Sequence, residues 1–481
     1  MSTRRSTVTV AEDTTRRGFF HRLIDGVHGA ALASLATADL ARAAASSYDL
    51  TPKKPHFEPK AKAVIHLFMN GGPSQVDLFD PKPALKKHAG SAPSRDIVNQ
   101  IEFADQIGVM MPSPFEFKRY GQCGMEMTEL MPHLGTVVDD IAFIRSMYGE
   151  HFNHEPSIYL MQSGRTLPGR PSLGAWVTYG LGSVNQNLPA YVVLDDPKGL
   201  PINLAQNWQA GWLPPIFQGT RFRSEGLPLL NLKPPEELPS PLVEAQRDLL
   251  RTLDESHRTR RPGIGELDAR IASYELAARM QMAATDALDL TQESEATREM
   301  YGLNEEATQS YGRRCLMARR LVERGVRFVQ IFIEGQIWDN HSDLEKSLKY
   351  CCAKTDKPAA ALIRDLKQRG LLDSTLILWG GEFGRMPISQ IRAGGTAGRD
   401  HGPGGFTTWM AGGGTKGGTI HGATDEIGYK AVENRVSVHD FHATMLHLLG
   451  LRFRDLAFTR HSLQERLTDQ YPARIVNEIL A

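Results

Sequence analysis

Cysteine is scarce in this chain, and what is present forms no pattern. Four of the 481 residues are cysteine. Cys123 and Cys315 stand alone and Cys351 and Cys352 are adjacent, so none has zinc-ligand spacing and no disulfide framework can be drawn. Net charge is absent as well: 55 basic and 55 acidic residues cancel, leaving no global field to recruit nucleic acid or an anionic membrane. There is no run of about 20 uncharged apolar residues, the length a stable membrane span requires, and no internal repeat. With 41% hydrophobic and 23% charged residues, the composition is that of an ordinary globular protein with one large core or two modest ones.

The first 45 residues read as an export signal. Arg16-Arg17-Gly18-Phe19-Phe20 matches the twin-arginine pattern, residues 23–40 are weakly apolar, and Ala41, Ala43, Ala44 and Ala45 offer a cleavage site. Asp25, His28 and Asp39 interrupt the apolar stretch, which argues further against a membrane span. The partner implied is the twin-arginine translocase, which carries proteins already folded and suits a metal loaded before export. A periplasmic or secreted location follows. Residues 46–62, rich in proline and lysine, read as a linker, and residues 63–475 as a single α/β domain.

Within that domain, all-apolar runs end in glycines and potential ligands three times. Ala63-Val-Ile-His-Leu-Phe-Met69 runs into Asn70-Gly-Gly-Pro-Ser74. Val326-Arg-Phe-Val-Gln-Ile-Phe-Ile333 runs into a segment with Asp339 and His341. Thr375-Leu-Ile-Leu-Trp379 runs into Gly380-Gly-Glu382-Phe-Gly-Arg385, with Arg399-Asp-His401 beyond. An α/β sheet presents metal ligands in this way above its carboxyl edge. Ile141 to Met147 and Tyr191 to Leu194 are further strand candidates. Helices are expected over residues 266–300, 311–324 and 358–371, the last two feeding strands through short turns, the pattern of a parallel sheet covered on both faces. The fold class expected is a three-layer α/β sandwich with a mostly parallel central sheet. Residues 196–263 lose all periodicity and read as an irregular insertion, whose Trp208, Trp212 and Phe217 either plug the loop or stack on sugar rings.

Residues 64–80, Arg145-Ser-Met147, His154-Glu-Pro-Ser157, Trp338-Asp-Asn-His341, Gly380 to Arg385 and Gly413 to Asp425 together resemble the bacterial exported, sulfatase-like family catalogued as domain of unknown function 1501, within the alkaline-phosphatase-like superfamily. The resemblance runs from about residue 60 to residue 470. It implies an alkaline-phosphatase/sulfatase-like fold and hydrolysis of sulfate or phosphate esters, of a small molecule or a glycan, with a divalent metal ion. Zinc, manganese, magnesium and calcium all suit ligands of these types, and one metal is expected rather than two. Carried over position by position, the ligands are Asn70, Asp339, His341, Glu382 and His401. The chain departs from the pattern in three ways: Asn70 stands where an aspartate is usual, Asp339 and His341 are closer together than the usual pair, and Phe383 replaces a residue able to ligate.

The nucleophile departs further. His154 occupies the position of the formylglycine precursor, and Cys315-Leu-Met-Ala-Arg319 lacks the proline of a sulfatase signature. His154 can serve as ligand, base or covalent nucleophile; Ser74 or Ser157 can be activated by the metal; or water can attack directly. The reading favoured is His154 as ligand or base with water as nucleophile. His151, Arg385 and Lys416 are candidate substrate contacts. His66, His439 and His442 read as structural. The competing expectation is a glycan- or anion-binding protein that keeps the fold without catalysis.

Overall fold

The computed structural model describes residues 49–99, 101, 106–224, 240–261, 264–390 and 396–481. The export signal and the first residues of the linker lie outside these. The chain divides into two compact units: Met1–Tyr48 with Leu238–Ile271, and Asp49–Glu237 with Ala272–Ala481. Described by itself, the first unit holds a 21-residue helix, Ser240–Arg260, and the first turns of the helix Gly265–Leu288. The second unit carries the sheet and every candidate residue of the site.

The central sheet has nine strands among the described residues. The strands that position the site are β1 (Ala63–Phe68), β2 (Ile141–Tyr148), β3 (Tyr191–Leu194), β4 (Thr220–Phe222), β5 (Phe328–Phe332), β6 (Thr375–Gly380), β7 (Gly384–Gln390), β8 (Gly398–Gly402), β9 (Phe406–Ala411) and β10 (Thr419–His421). The order across the central sheet is β10-β2-β9-β6-β1-β5-β3-β4, and the ninth strand, Val436–Ser437, lies off this path and pairs with β2. Among the described strands of this sheet, β9 alone runs antiparallel to its neighbours; β1, β5 and β6 are parallel and central. Every residue of β1, β5 and β6 is buried, which is why their sequences are apolar without alternation. β7 and β8 belong to a separate small antiparallel sheet.

Helices cover the central sheet. The helices α1 (His154–Ser163), α2 (Leu173–Leu181), α3 (Gln309–Glu323), α4 (Leu344–Gln368) and α5 (Val438–Leu448) lie around it. Both α2 and α3 pack on β5, and α4 packs on α3. Gln162 of α1 bonds Gln330 of β5 at 2.8 Å, and α5 bonds α1 through His442 Nε2 and the Met161 carbonyl at 2.9 Å. The layering is helix, sheet, helix. Among the described residues no helix is long and apolar enough to cross a membrane.

Three local expectations change. The end of the stretch read as irregular is the helix Ser240–Arg260: Pro241 sits in its first turn, no glycine or further proline interrupts it, and Asp248–Arg251 and Glu255–Arg258 pairs line its surface. The helix expected to begin at Pro358 begins at Leu344. Leu348, Cys351, Cys352, Thr355, Ala359 and Leu362 form one buried stripe that outweighs the single backbone bond proline removes. The helical run 266–300 breaks at Asp289 and restarts at Ser294, because each side chain caps a following backbone N–H, of Thr291 and Thr297. Trp208 and Phe217 are buried and plug their loop, while Trp212 lies under the guanidinium groups of Arg170 and Arg460. All four cysteines are free thiols.

Candidate metal centre

Register brings the three strand ends together. Phe68, the last residue of β1, pairs with Phe332 of β5 on one side and Gly380 of β6 on the other. The loops that follow therefore rise side by side at the carboxyl edge of the sheet. Gly71 allows them to touch: its φ is +109°, and a Cβ there would come within 2.5 Å of the Asp339 backbone nitrogen. The Trp338 N–H donates to the Asn70 carbonyl at 3.2 Å, and the Arg399 N–H to the Asn340 carbonyl at 2.9 Å. The loop bearing Asp339 and His341 is thus held from both flanks.

Four side chains converge on one point. His154, Asp339, His341 and His401 each offer one ligand atom, all within 4.8 Å of one another. Asp339 Oδ1 is the hub, 2.8 Å from His341 Nε2 and 3.2 Å from both His154 Nε2 and His401 Nε2. His341 Nε2 and His401 Nε2 are 3.0 Å apart. His154 is the first residue of α1; His401 lies on β8, directly across from Arg385 on β7.

The far nitrogens of two imidazoles are tied down. His154 Nδ1 donates to Glu382 Oε1 at 2.6 Å, and His341 Nδ1 donates to Gln390 Oε1. Each bond keeps a proton on Nδ1 and turns Nε2 toward Asp339. Glu382 is itself held by the Gly71 N–H, at 2.9 and 3.2 Å to its two oxygens. His154 Nε2 is buried and has no hydrogen-bond partner, although Asp339 Oδ1 is 3.2 Å away: the atoms are close but misaligned. Phe383 packs against His154 and His401, with ring centroids 4.9 and 4.6 Å apart.

Charge is concentrated here. Burial alone would raise the Asp339 carboxyl, but His154, His341, His401 and the Arg385 guanidinium hold it far below the ordinary carboxylate range. Burial would lower His154, yet Asp339 and Glu382 on either side hold it up to about 9. His401 goes the other way, down to about 4, through burial and the nearby cations Arg385 and His154 acting against Asp339. Of the two imidazoles facing Asp339 with a shifted pKa, His401 is thus the one held toward its neutral form.

The remaining candidates fall outside this cluster. Glu382 orients His154 from one step back. Asn70 lies at the end of β1, its amide nitrogen donating to the Ile333 and Gly335 carbonyls at 2.5 and 2.9 Å, while its Oδ1 is buried without a partner. Arg385 is fully buried; its guanidinium bonds Asp339 Oδ1 at 2.6 Å and the carbonyls of Gly71, Gly72 and Arg399. That leaves it a support for Asp339 and not an open anion contact. Lys416 is exposed just before β10, its backbone bonded to Ile479, at the amino edge of the sheet and so opposite the histidines. Ser74 Oγ donates to Asp77 Oδ2 at 2.5 Å, and Asp77 is paired with the buried Arg399 at 2.6 Å. His151 stands at the entry to α1, with Nδ1 accepting from the Asn153 N–H at 3.0 Å and its ring against Phe152. His66, His439 and His442 are buried side chains of the core.

Sequence reading missed Gln390 and Asp400. Asp400 follows Arg399 and precedes His401, and its Oδ1 lies 3.7 Å from His341 Nδ1. Its position beside a candidate ligand was a usable signal. Gln390 offered none, because only the pairing of β7 with β8 brings it under His341.

Among solved structures, the chain is similar to the PsFucS1 sulfatase from Pseudoalteromonas sp., at 13% identity over 86% of this chain and 72% of that one, with a TM-score of 0.33. It is similar to the lipoteichoic acid synthase LtaP from Listeria monocytogenes, at 8% identity over 86% and 78% of the two chains, TM-score 0.31. It is also similar to the phosphonate monoester hydrolase SpPMH from Silicibacter pomeroyi, at 10% identity over 82% and 73%, TM-score 0.30. No curated protein sequence matches. Residues 61–480 match the family described as protein of unknown function (DUF1501), and the chain belongs to that family.

Proposed function

We propose that the protein is an exported, metal-dependent hydrolase of sulfate or phosphate esters that works without formylglycine. The observation that carries this reading is the convergence of three imidazole Nε2 atoms on Asp339 Oδ1. The set fits an ion. Contacts of 2.8 to 3.2 Å between Asp339 and the histidines compare with the roughly 3.3 Å edge of a tetrahedron whose ligand distances are about 2.0–2.1 Å. His154 Nε2, buried and without a hydrogen-bond partner, would become a ligand by giving up its proton as the ion binds.

Three nitrogens and one oxygen suit zinc, since magnesium, calcium and manganese prefer oxygen ligands. His154, Asp339, His341 and His401 would hold it, and a divalent ion there supplies polarisation of the ester oxygens and neutralisation of leaving-group charge. The protein's own residues do the rest. Glu382 and Gln390 fix the imidazole orientations, Arg385 holds the Asp339 carboxylate in place, and Phe383 packs against the His154 and His401 rings. Ser74 and Ser157 both give their hydroxyl hydrogens to protein acceptors, Asp77 and the His151 carbonyl. Neither serine belongs to the group formed by His154, Asp339, His341 and His401, which favours water as the nucleophile; the substrate is a small-molecule or glycan ester. Residues 1–45 direct export through the twin-arginine translocase, and residues 63–475 carry the catalysis.

The test is elemental analysis of the signal-free protein beside an H341A/H401A double variant, followed by assay of released sulfate and phosphate from aryl and sugar esters. Near-stoichiometric zinc in the parent, lost in the variant, together with ester cleavage abolished by chelation, is the expected result. No metal in the parent after incubation with divalent cations would sink the reading. Bound metal with no ester cleaved would turn it to the binding protein.

A further inference from the structure

We propose that a cavity beside His401 receives the alcohol part of the ester and selects a hydroxylated ring that carries negative charge of its own. This deepens the hydrolase reading above and rests on it. The cavity, about 180 Å³, is lined by Asp400, His401, Phe152, Met386, Tyr429 and Lys430 among others. That is below the roughly 300–1,000 Å³ of sites for drug-sized ligands and matches one substituted ring.

Its lining is mixed, polar and apolar. His401, a member of the metal cluster, and the buried Asp400 line the cavity, so a reacting ester group belongs beside them. Asp400 Oδ1 already accepts the His401 N–H at 2.8 Å, and a carboxylate at that depth accepts hydroxyl donors, which favours a polyhydroxylated ring over a purely apolar one. Phe152, Met386 and Tyr429 supply apolar wall against which ring C–H groups can lie.

The rim carries the charge selectivity. Lys430 is exposed. Its ammonium lies 5.4 Å from the centre of the Tyr429 ring, and no carboxylate pairs with it among the described residues. Arg385 is committed to Asp339 and Lys416 is at the opposite edge of the sheet, so neither cation can serve this cavity. Lys430 is exposed, whereas the side chains of His401 and Asp400 are 15% and 12% exposed, so Lys430 stands on the solvent side of the cavity from the ester. The charge it meets is therefore a second one on the ring, a carboxylate or a further sulfate or phosphate.

The loop that presents Tyr429 and Lys430 is built to hold still. Asp425 Oδ1 accepts the N–H groups of Ile427 and Tyr429 at 3.2 and 2.8 Å, and Oδ2 accepts that of Lys430 at 3.0 Å. The Asp425 N–H closes the loop on the Lys430 carbonyl at 2.8 Å. Gln75 Nε2 pins it from below through the Gly428 carbonyl at 3.0 Å. A loop ordered before binding loses little entropy when substrate arrives.

The experiment is a ligand-observed NMR titration of the signal-free protein with methyl α-D-glucopyranosiduronate and with its neutral counterpart, methyl α-D-glucopyranoside, at low salt. The uronate is expected to bind about fivefold tighter, the scale of one exposed ion pair at its upper range. Lys430→Ala should erase that preference and Lys430→Arg should keep it. Equal affinity for the two probes in the parent, or a preference that survives Lys430→Ala, would overturn the inference. The two readings separate cleanly: ester cleavage without charge preference defeats this one alone, and charge preference without cleavage of any ester defeats the hydrolase reading alone.

Discussion

Asp339→Asn is the most informative single change, because it keeps shape while removing the charge on which the cluster is built. Asp339 Oδ1 meets His341 at 2.8 Å, His154 and His401 at 3.2 Å, and the Arg385 guanidinium at 2.6 Å. The amide oxygen can still accept from Arg385, so the metal-free variant should lose about 1–3 kcal/mol, the range for a compromised hydrogen bond to a charged group, and less than the ~3–5 kcal/mol of an ion pair broken outright. The effect on metal is larger. Replacing even a residue that supports a ligand lowers metal affinity about 10–100-fold, and Asp339 is itself the proposed ligand. At free zinc set to a hundred times the parent's Kd, the parent gains about 2.7 kcal/mol of stability by linkage. A variant bound a hundredfold more weakly sits at its own Kd and gains only ~0.4 kcal/mol. Urea unfolding of both proteins, with chelator and then at that fixed zinc concentration, reads both quantities. Equal stabilisation of parent and variant by zinc would refute the assignment of Asp339 as the hub.

Other changes separate supporting from central roles. Glu382→Gln removes the carboxylate behind His154 but leaves an acceptor for the Gly71 N–H; zinc affinity measured by competition with a chromophoric chelator should fall about 10–100-fold, and an unchanged affinity would dissociate Glu382 from His154. Ser74→Ala should leave ester turnover within about twofold of the parent while costing about 1 kcal/mol for the lost bond to Asp77; abolished turnover in a folded variant would make Ser74 the nucleophile after all. The core histidines set an acid limit. Burial holds His66 and His442 down to about 3, His442 with a further contribution from His439, against about 6.5 in the unfolded chain. Below pH 6.5 the unfolded state takes up protons that the native state refuses, so these residues make stability fall as pH drops toward 3. With both titrating, the slope is about 2.7 kcal/mol per pH unit. His442→Gln, which retains a donor for the Met161 carbonyl, should reduce it by about 1.4 kcal/mol per pH unit in urea unfolding between pH 6 and 4; an unaltered slope would mean His442 protonates as easily in the folded chain.

The fold and the convergence of its strand ends were legible because both rest on one-dimensional signals. Apolar runs without alternation mark strands buried on two faces, and glycines directly after them mark where a chain must turn sharply. The sequence therefore pointed to Asp339, His341 and His401 as ligands above the carboxyl edge. Helix boundaries were less legible wherever a strong local signal competed with packing. Pro358 looked like a start, yet the buried stripe from Leu348 to Leu362 runs through it. His439 and His442 were read as structural, and the carbonyls of Gly164 and Met161 give them partners that explain it.

What could not be read was which charged group points inward, and that depends on loop length and cross-strand register. Glu382 and Asp339 looked equivalent as carboxylates after apolar strands. Gly381 alone separates Glu382 from β6, so its side chain stays at the strand end, where the Gly71 N–H takes it and it can reach only the far nitrogen of His154. Residues 333–338 separate Asp339 from β5, and that longer loop carries its carboxylate out to meet all three Nε2 atoms. Arg385 has the same explanation with the sign reversed. It follows a glycine turn and looked open to an anion, but its pairing opposite His401 turns it toward Asp339. Without that carboxylate Arg385 would keep only the carbonyls of Gly71, Gly72 and Arg399 and would be a buried charge with no counter-charge, so Asp339 and Arg385 support each other before any metal or substrate arrives. The cation that remains for substrate must then come from elsewhere, which is the position Lys430 occupies.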